Sequence, residues 1–119
     1  AFTEYEQAVI LRTDLSTPAY EGIEGGSDTK DRVFLLSRTE AAAYFPRSVD
    51  RLVEATEYAR ANGVGIADEN GCCWWWLRTP GTFPYDAGLV YAAGDIDRTG
   101  GNIQNASIAV RPALWVELS

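Results

Sequence analysis

The stretch DIDRTGGN, from Asp95 to Asn102, has the residue types of a cation-binding loop. Its alternating aspartates are typical of the first half of a calcium loop, which needs a bidentate glutamate at the twelfth position. That position is Ala106, so the calcium motif is incomplete. Two interpretations stay open: a looser calcium site formed by Asp95, Asp97 and Asn102, or a solvated turn whose side chains satisfy backbone groups. We favour the turn and predict no bound metal.

The sequence contains no histidine, and its two cysteines, Cys72 and Cys73, are adjacent. The absence of histidine excludes nucleophiles activated by imidazole and zinc sites with histidine ligands. Adjacent residues of a strand point to opposite faces, so the cysteines are either two small buried hydrophobic residues or a vicinal disulfide or reactive pair. No glycine pattern that could cradle a phosphate follows a strand. We therefore predict no enzymatic activity and no cofactor.

Aromatic and amide side chains are concentrated in the region 82–109. Rigid aromatic rings beside short polar groups are typical of recognition surfaces. The alternative interpretation is an ordinary exposed sheet and turn. The ligand-binding residues that we predict from this region are Phe83, Tyr85, Asp86, Tyr91, Asp95, Asp97, Arg98, Asn102, Gln104, Asn105 and Ser107.

Two arginines, Arg78 and Arg111, lie in stretches of aromatic or aliphatic residues. An unpaired charge is costly in such surroundings, and the planar guanidinium suits pairing with carboxylates. We interpret both as buried or half-buried ion-pair partners. The alternative is that they hold an anionic ligand.

The length and charge of the chain limit its partners. Its 119 residues suit one domain with one core, spanning residues 1–119. Ten basic and seventeen acidic residues give a net charge of −7, which opposes binding to nucleic acids and to anionic membranes. No apolar run approaches the roughly 18 residues of a membrane helix. We predict no nucleic-acid partner and no membrane insertion. Position 1 is Ala and not Met, so the chain is either a processed protein or a fragment; we favour a fragment, the C-terminal part of a longer chain.

The elements that must position these side chains are organised around the run CCWWWLRTPG, residues 72–81. Three consecutive tryptophans each carry roughly 150–250 Å² of surface to bury, so this run is expected to be a central strand. Its period of two places Trp74, Trp76 and Arg78 on one face and Trp75 and Leu77 on the other. The sequence Thr-Pro-Gly that follows predicts a turn.

Capping boxes, periodicity and turn residues predict the other elements. Helices are expected from Thr3 to Leu11, from Ser37 to Pro46 and from Ser48 to Gly63. Residues 14–30 are predicted to form a surface loop. The predicted strands are Val33–Leu36, Ala87–Ala93, Ile103–Ala109 and Val110–Leu118, with a turn-rich connection over Gly94–Gly101. Helices packed on a small twisted antiparallel sheet make the fold class α+β.

Four blocks occur in the order VFLLSRTEAAAYF, ATEYARANG, GCCWWWLRTPG and VRPALWVEL. In order and spacing they resemble a large family of uncharacterised bacterial domains. That family is similar to the C-type-lectin-like fold of formylglycine-generating enzymes and of the diversified receptor-binding proteins of phages and bacteria. The residues that match the family signature, and that the resemblance implies are structural, are Trp75, Trp76, Leu77, Arg78, Pro80, Gly81, Val110, Arg111, Pro112, Ala113, Leu114 and Trp115.

The resemblance implies a non-catalytic binding or display domain in an extracellular, cell-surface or virion setting. Its partner would be a protein or glycan bound through the region 82–109, and that region would be a candidate for diversification by a retroelement. The alternative is a structural or assembly module of a larger surface or virion protein, with homo-oligomers forming through an N-terminal part that precedes this chain.

The chain also departs from the family pattern. Many members carry a cysteine near the position of Val53, which would pair with the cysteine before the tryptophans. The calcium-site motifs of sugar-binding C-type lectins are missing, as is the spaced cysteine pair of formylglycine-generating enzymes. Calcium-dependent sugar binding and oxidase chemistry are therefore not expected.

Overall fold

The computed structural model describes residues 13–15, 29–83, 85–97 and 99–116. The described strands and helices define an α+β protein with two small antiparallel sheets. The helix predicted over Thr3–Leu11 lies outside the described residues. In chain order the elements are β1 (Thr13–Leu15), β2 (Thr29–Asp31), α1 (Arg38–Tyr44), a 3₁₀ helix (Ser48–Arg51), α2 (Glu57–Ala61), β3 (Trp75–Pro80), β4 (Asp86–Val90) and β5 (Gly101–Asn102).

The smaller sheet pairs the two ends of the surface loop predicted over residues 14–30, whose middle, residues 16–28, lies outside the described residues. Its strands β1 and β2 pair antiparallel, with Asp14 opposite Lys30 and Leu15 opposite Thr29. Leu15 is buried in the core cluster, which holds β1 against the rest of the protein. The two ends of the predicted loop are therefore paired strands.

Helix α1 begins where its capping box predicts. The Ser37 hydroxyl accepts a hydrogen bond from the Glu40 backbone N–H at 3.1 Å, and the Ser37 N–H donates to Glu40 Oε1 at 2.9 Å. These two bonds satisfy donors that the first turn of a helix leaves unpaired. The helix ends at Phe45, immediately before Pro46, as predicted.

The prediction of one long helix from Ser48 to Gly63 is wrong. The chain forms one 3₁₀ turn and is extended at Leu52, and α2 begins only after the cap residue Thr56. The backbone is instead used for pairing with the tryptophan segment, because the Cys73 N–H donates to Val53 O at 2.9 Å. Tertiary pairing here overrides a helical hydrophobic pattern. The predicted end of the helical region is confirmed, since Gly63 has a positive φ of 91°.

The larger sheet has the strand order β3–β4–β5, so β4 and not β3 is its central strand. Trp75 pairs with Val90 and Trp76 with Leu89, and the register shifts before Pro80 pairs with Ala87. The other edge of β3 is also occupied, because the Trp76 N–H donates to Ala109 O at 3.0 Å and the Arg78 N–H to Leu36 O at 2.7 Å. The tryptophan strand is thus enclosed on both edges.

The alternation predicted along β3 is confirmed. Trp75, Leu77 and Thr79 are buried, and the residues between them are only partly so. One face of β3 therefore enters the core. The buried residues of that core cluster are Leu15, Phe34, Leu36, Ala41, Trp75, Leu77 and Val90.

The remaining strand predictions are shortened or wrong. Val33–Leu36 contributes a single bridge, from Phe34 to Ala113. The predicted strand Ala87–Ala93 ends at Val90, and Ile103–Ala109 consists mainly of turns with one bridge at its end. The described part of Val110–Leu118 forms isolated bridges and no strand. Pro112 removes a backbone donor there, which favours bridges over a continuous ladder.

Candidate functional site

Two exposed aromatic residues, Phe83 and Tyr85, stand at the turn between β3 and β4. Their rings are stacked with centroids 5.6 Å apart and planes inclined by 7°. Each residue is 54% exposed. We call this pair the aromatic edge.

The turn that carries the aromatic edge is fixed by backbone hydrogen bonds. The Gly81 N–H donates to Asp86 O at 2.9 Å, and the Thr82 N–H donates to Thr99 O at 2.7 Å. A side chain at Gly81 is excluded, since its Cβ would lie 2.5 Å from Asp86 Cβ and 2.7 Å from Thr99 O. Hydrogen bonds and close packing therefore fix the backbone at Gly81, Thr82 and Asp86, next to the two rings.

The amide-bearing residues lie at the end of β5 and in the turns that follow it. The Ile103 N–H donates to Tyr85 O at 3.0 Å, which ties these turns to the aromatic edge. Asn102 Oδ1 accepts from the Gln104 N–H at 2.9 Å, and Asn105 Oδ1 accepts from the Ser107 N–H at 3.0 Å. Such side-chain bonds to the backbone two residues ahead are typical of Asx turns. The amide oxygens thus hold the turns in shape.

Asp97, one of the residues predicted to bind a ligand, is buried and only 3% exposed. The Tyr91 hydroxyl donates to Asp97 Oδ1 at 2.5 Å, and the Gly100 N–H donates to Oδ2. The bond to Asp97, together with partial burial, raises the pKa of Tyr91 to about 12. Both carboxylate oxygens of Asp97 and the hydroxyl of Tyr91 are therefore used inside the protein.

The partner of Asp97 on the inner side is Arg38, a fully buried arginine that the sequence analysis missed. Its Nη2 lies 4.0 Å from Asp97 Oδ2, and its Nε donates to Asp97 O at 2.8 Å. Its Nη1 donates to Pro80 O at 3.1 Å. The one available signal was Gly88 inside a predicted strand, since glycine there often marks a close approach; a Cβ at Gly88 would lie 3.0 Å from the guanidinium carbon.

The other predicted ligand-binding residues are placed as follows. Asp95, Asn102, Gln104 and Asn105 are exposed, whereas Asp86 and Ser107 are half-buried. Arg98 lies outside the described residues. Across the described part of the chain, no three acidic or cysteine side chains are grouped closely enough to hold a metal ion.

The residues predicted to be structural differ in their surroundings. Trp75 is fully buried and Trp76 is half-buried, and the Trp75 indole donates to Arg51 O at 3.1 Å. Arg78 Nη1 donates to Glu40 Oε1 at 2.8 Å and to Leu35 O at 2.7 Å. Trp115, which is also predicted to be structural, lies at the surface.

Trp115 is 48% exposed, and its ring meets the ring of Tyr44 edge to face, with centroids 6.1 Å apart.

The adjacent cysteines, Cys72 and Cys73, are both buried and are not joined by a disulfide. Burial raises the pKa of the Cys73 thiol. A buried protonated thiol is a small hydrophobic group rather than a reactive one.

Fold and surface together define a small α+β domain in which a three-stranded sheet carries an exposed aromatic edge and amide-rich turns. The chain belongs to the family described as Domain of unknown function (DUF6273), whose model matches residues 1–118. No curated protein and no solved structure shows significant similarity to the chain. Within the described ranges, no helix has the length and apolar character to cross a membrane.

Proposed function

We propose that the chain is a non-catalytic binding domain that recognises a protein or glycan through the aromatic edge and the turns after β5. The observation that carries the proposal is the stacked pair Phe83 and Tyr85, each 54% exposed. Aromatic rings contribute most of the energy of many recognition surfaces, because they bury a large area at little cost in side-chain entropy. Here the rings are already held in one orientation by each other and by the turn.

The proposal includes the C-type-lectin-like fold and an extracellular, cell-surface or virion setting. It is supported by the four sequence blocks described above and by the separation of a buried strand from exposed turns. Diversification of the region 82–109 by a retroelement belongs to the same proposal. It would change exposed residues such as Gln104.

The experiment compares the parent chain with the double variant Phe83→Ser, Tyr85→Ser on a printed array of bacterial and host glycans. Binding of the same two proteins to intact bacterial cells, measured by flow cytometry, tests for protein ligands. We expect at least about a tenfold loss of binding in the variant, because central aromatic residues commonly contribute 2 kcal/mol or more. The matched control is Tyr58→Ser, since Tyr58 is 80% exposed on α2, away from the aromatic edge. Equal binding by the double variant and the parent would reject the aromatic edge as the site.

A second candidate function is an assembly module, favoured by a separate apolar groove. Its volume is about 190 Å³, and its lining includes Tyr44, Leu114 and Trp115. Exposed apolar surface of this kind often marks a contact with another chain. Analytical ultracentrifugation of the parent and of Trp115→Ser tests this function: a concentration-dependent dimer in the parent alone would favour it, and a monomer in both would exclude self-assembly through the groove.

A further inference from the structure

Arg111 is a partly buried arginine that the described protein leaves without a polar partner. Its guanidinium carbon lies 4.9 Å from the ring centroid of Phe45 and 4.9 Å from that of Trp75. Its Nη1 is buried and donates no hydrogen bond to the described residues. Arg111 also takes no part in the ion pairs formed among the described residues. The ion pair expected for Arg111 from the sequence is therefore not formed.

This arrangement is energetically unfavourable as a purely structural one. Burial lowers the pKa of Arg111, since an enclosed cation loses hydration that two aromatic faces replace only in part. Arg38 and Arg78, in contrast, each donate several hydrogen bonds to carboxylates or carbonyls. A charge kept in place without a counterion indicates that the counterion is supplied from outside the chain.

A cavity of about 200 Å³ opens beside this guanidinium. Its walls are mainly apolar and include Val53, Trp75, Ala109 and Pro112. The polar groups along it are largely in use: the Thr56 hydroxyl accepts from the Ala59 N–H at 3.1 Å to cap α2, and the Cys73 thiol lies 3.5 Å from Val53 O.

Glu54 and Arg111 are the charged residues of the lining. They form no ion pair with each other, and Glu54 is exposed. The cavity thus has the cation Arg111 within an apolar wall and the anion Glu54 at an exposed position. This arrangement favours a ligand with one negative charge, located next to Arg111. A second negative charge would be repelled by Glu54.

We propose that this cavity binds a small monocarboxylate with an apolar body, independently of the aromatic edge. The carboxylate pairs with the guanidinium of Arg111, whose planar fork matches its geometry. The alkyl or aryl body lies against the Trp75 ring and the aliphatic wall. The ligand thereby supplies the hydrogen-bond acceptors that the chain does not provide.

The first test is an NMR titration of the whole chain with 3-methylbutanoate, 3-methylbutan-1-ol and 3-methylbutan-1-amine. These probes share one apolar body and differ only in the head group. We expect saturable shifts of the Ala109 and Val110 amides and of the Trp75 indole N–H with the carboxylate, with a dissociation constant in the millimolar range, and at least about tenfold weaker binding of the other two. Equal binding of the alcohol or the amine, or no saturable shift with the carboxylate, would overturn the proposal.

The second test uses two variants with opposite expected effects. Arg111→Met keeps an apolar group between Phe45 and Trp75 but removes the charge, so we expect carboxylate affinity to fall at least about tenfold while the melting temperature without ligand is kept or raised. Glu54→Gln removes a repelling charge from an exposed position and should raise the affinity by about threefold.

Arg32→Met is the matched control, because Arg32 is exposed and is not part of the cavity lining. It changes the net charge as Arg111→Met does and should leave the affinity unchanged. Retention of affinity in Arg111→Met would reject the site. Should Arg111→Met fail to fold, Glu54→Gln decides: an unchanged or weaker affinity in that variant would reject the proposal, and a stronger one supports it.

Discussion

At the scale of single residues, the central feature of the described protein is the buried pair Arg38 and Asp97, to which the exposed Tyr91 donates a hydrogen bond through its hydroxyl. Arg38 joins the start of α1 to β3 through the bond from its own N–H to Thr79 Oγ1 at 2.8 Å, and to the chain after β4 through Asp97. Charge-assisted bonds in a low-dielectric interior are stronger than those at the surface. These residues hold in place the connection from which the aromatic edge projects.

The variant Tyr91→Phe tests this network. It removes the donor to Asp97 Oδ1 and leaves a buried carboxylate oxygen with one bond fewer, which should lower the free energy of unfolding by about 1 kcal/mol. This loss is at the low end of the cost of an unsatisfied buried group, because Tyr91 is 41% exposed and water can partly replace the hydroxyl as the donor. Urea denaturation measures it. Tyr85→Phe, at an exposed ring outside the network, should leave the stability unchanged.

The pH dependence of stability gives a further measurement on the same variant. The pKa of Tyr91 is raised in the folded state from the ordinary value of 10.0 to about 12. Since the folded state holds this proton more tightly, its contribution is fully present below about pH 10 and is lost as the pH rises to about 12. The decline over this window should be smaller in Tyr91→Phe than in the parent. An identical decline in both would show that other groups cause it.

Gly88 provides a second test at the residue scale. A methyl group there would lie 3.0 Å from the guanidinium of Arg38, and Arg38 cannot move without breaking its bonds to Asp97 and Pro80. Overpacking of a fixed interior typically costs 1–3 kcal/mol, so we expect a loss of about 2 kcal/mol for Gly88→Ala in urea denaturation.

Gly65→Ala is the control for this variant, because its Cβ would meet Ser107 Cβ at an ordinary 3.5 Å. An equal loss in the two variants would show that it does not come from the contact with Arg38, since the lower entropy of the unfolded chain would by itself make both substitutions stabilising.

At the scale of elements, the accuracy of the sequence prediction depends on whether the signal is local. The capping box of Ser37 and Glu40 is local, and α1 follows it. The region 48–59 has a helical pattern, but pairing with Cys72 and Cys73 decides its conformation. That pairing is invisible to any periodicity, because it depends on residues about twenty positions away. The burial of Arg38 was missed for the same reason. The turns over Ile103–Ala109 do have a local signal, because Asn102 and Asn105 each bond to the backbone two residues ahead.

The pairing of the extended segment near Val53 can be tested by a disulfide. The antiparallel bridge between Glu54 and Cys72 places Val53 opposite Cys73, whose N–H donates to Val53 O at 2.9 Å. Opposite residues of an antiparallel pair have Cα atoms about 4.5–5.5 Å apart, within the range that a disulfide spans. We expect Val53→Cys to form a bond with Cys73 under mild oxidation and to raise the free energy of unfolding by roughly 2–3 kcal/mol through loop closure. Peptide mapping and urea denaturation, with and without reductant, measure both.

Leu52→Cys is the control for the disulfide, because the neighbouring residue of an extended chain points the other way. It should retain three free thiols, counting the two native cysteines, after the same treatment. Cross-linking of Leu52→Cys as readily as Val53→Cys would contradict the register.

At the scale of the whole molecule, the excess of acidic residues sets the response to salt. Because the net charge is −7, the acidic side chains repel one another in the folded state, and salt screens this repulsion. Two exposed ion pairs, Lys30–Asp14 and Arg47–Asp50, are also screened, but such pairs contribute little. Arg38–Asp97 and Arg78–Glu40 are more enclosed and are screened less. We therefore expect salt to weaken the repulsion among acidic side chains more than the attraction within the ion pairs.

We expect the melting temperature to rise by a few degrees, roughly 2–5 °C, between 20 and 500 mM NaCl at pH 7. Calorimetry measures it, and sodium chloride is chosen because sulfate would also strengthen apolar burial. The rise should become smaller near pH 4.4, the isoelectric point, where the net charge vanishes. A fall in the melting temperature with salt at pH 7 would mean that attractive pairs dominate the electrostatic free energy.

The rings of the aromatic edge carry no charge, so the double variant Phe83→Ser, Tyr85→Ser should show the same change of melting temperature with salt as the parent. A different change would show that the aromatic edge is coupled to the fold and is not a separable binding surface.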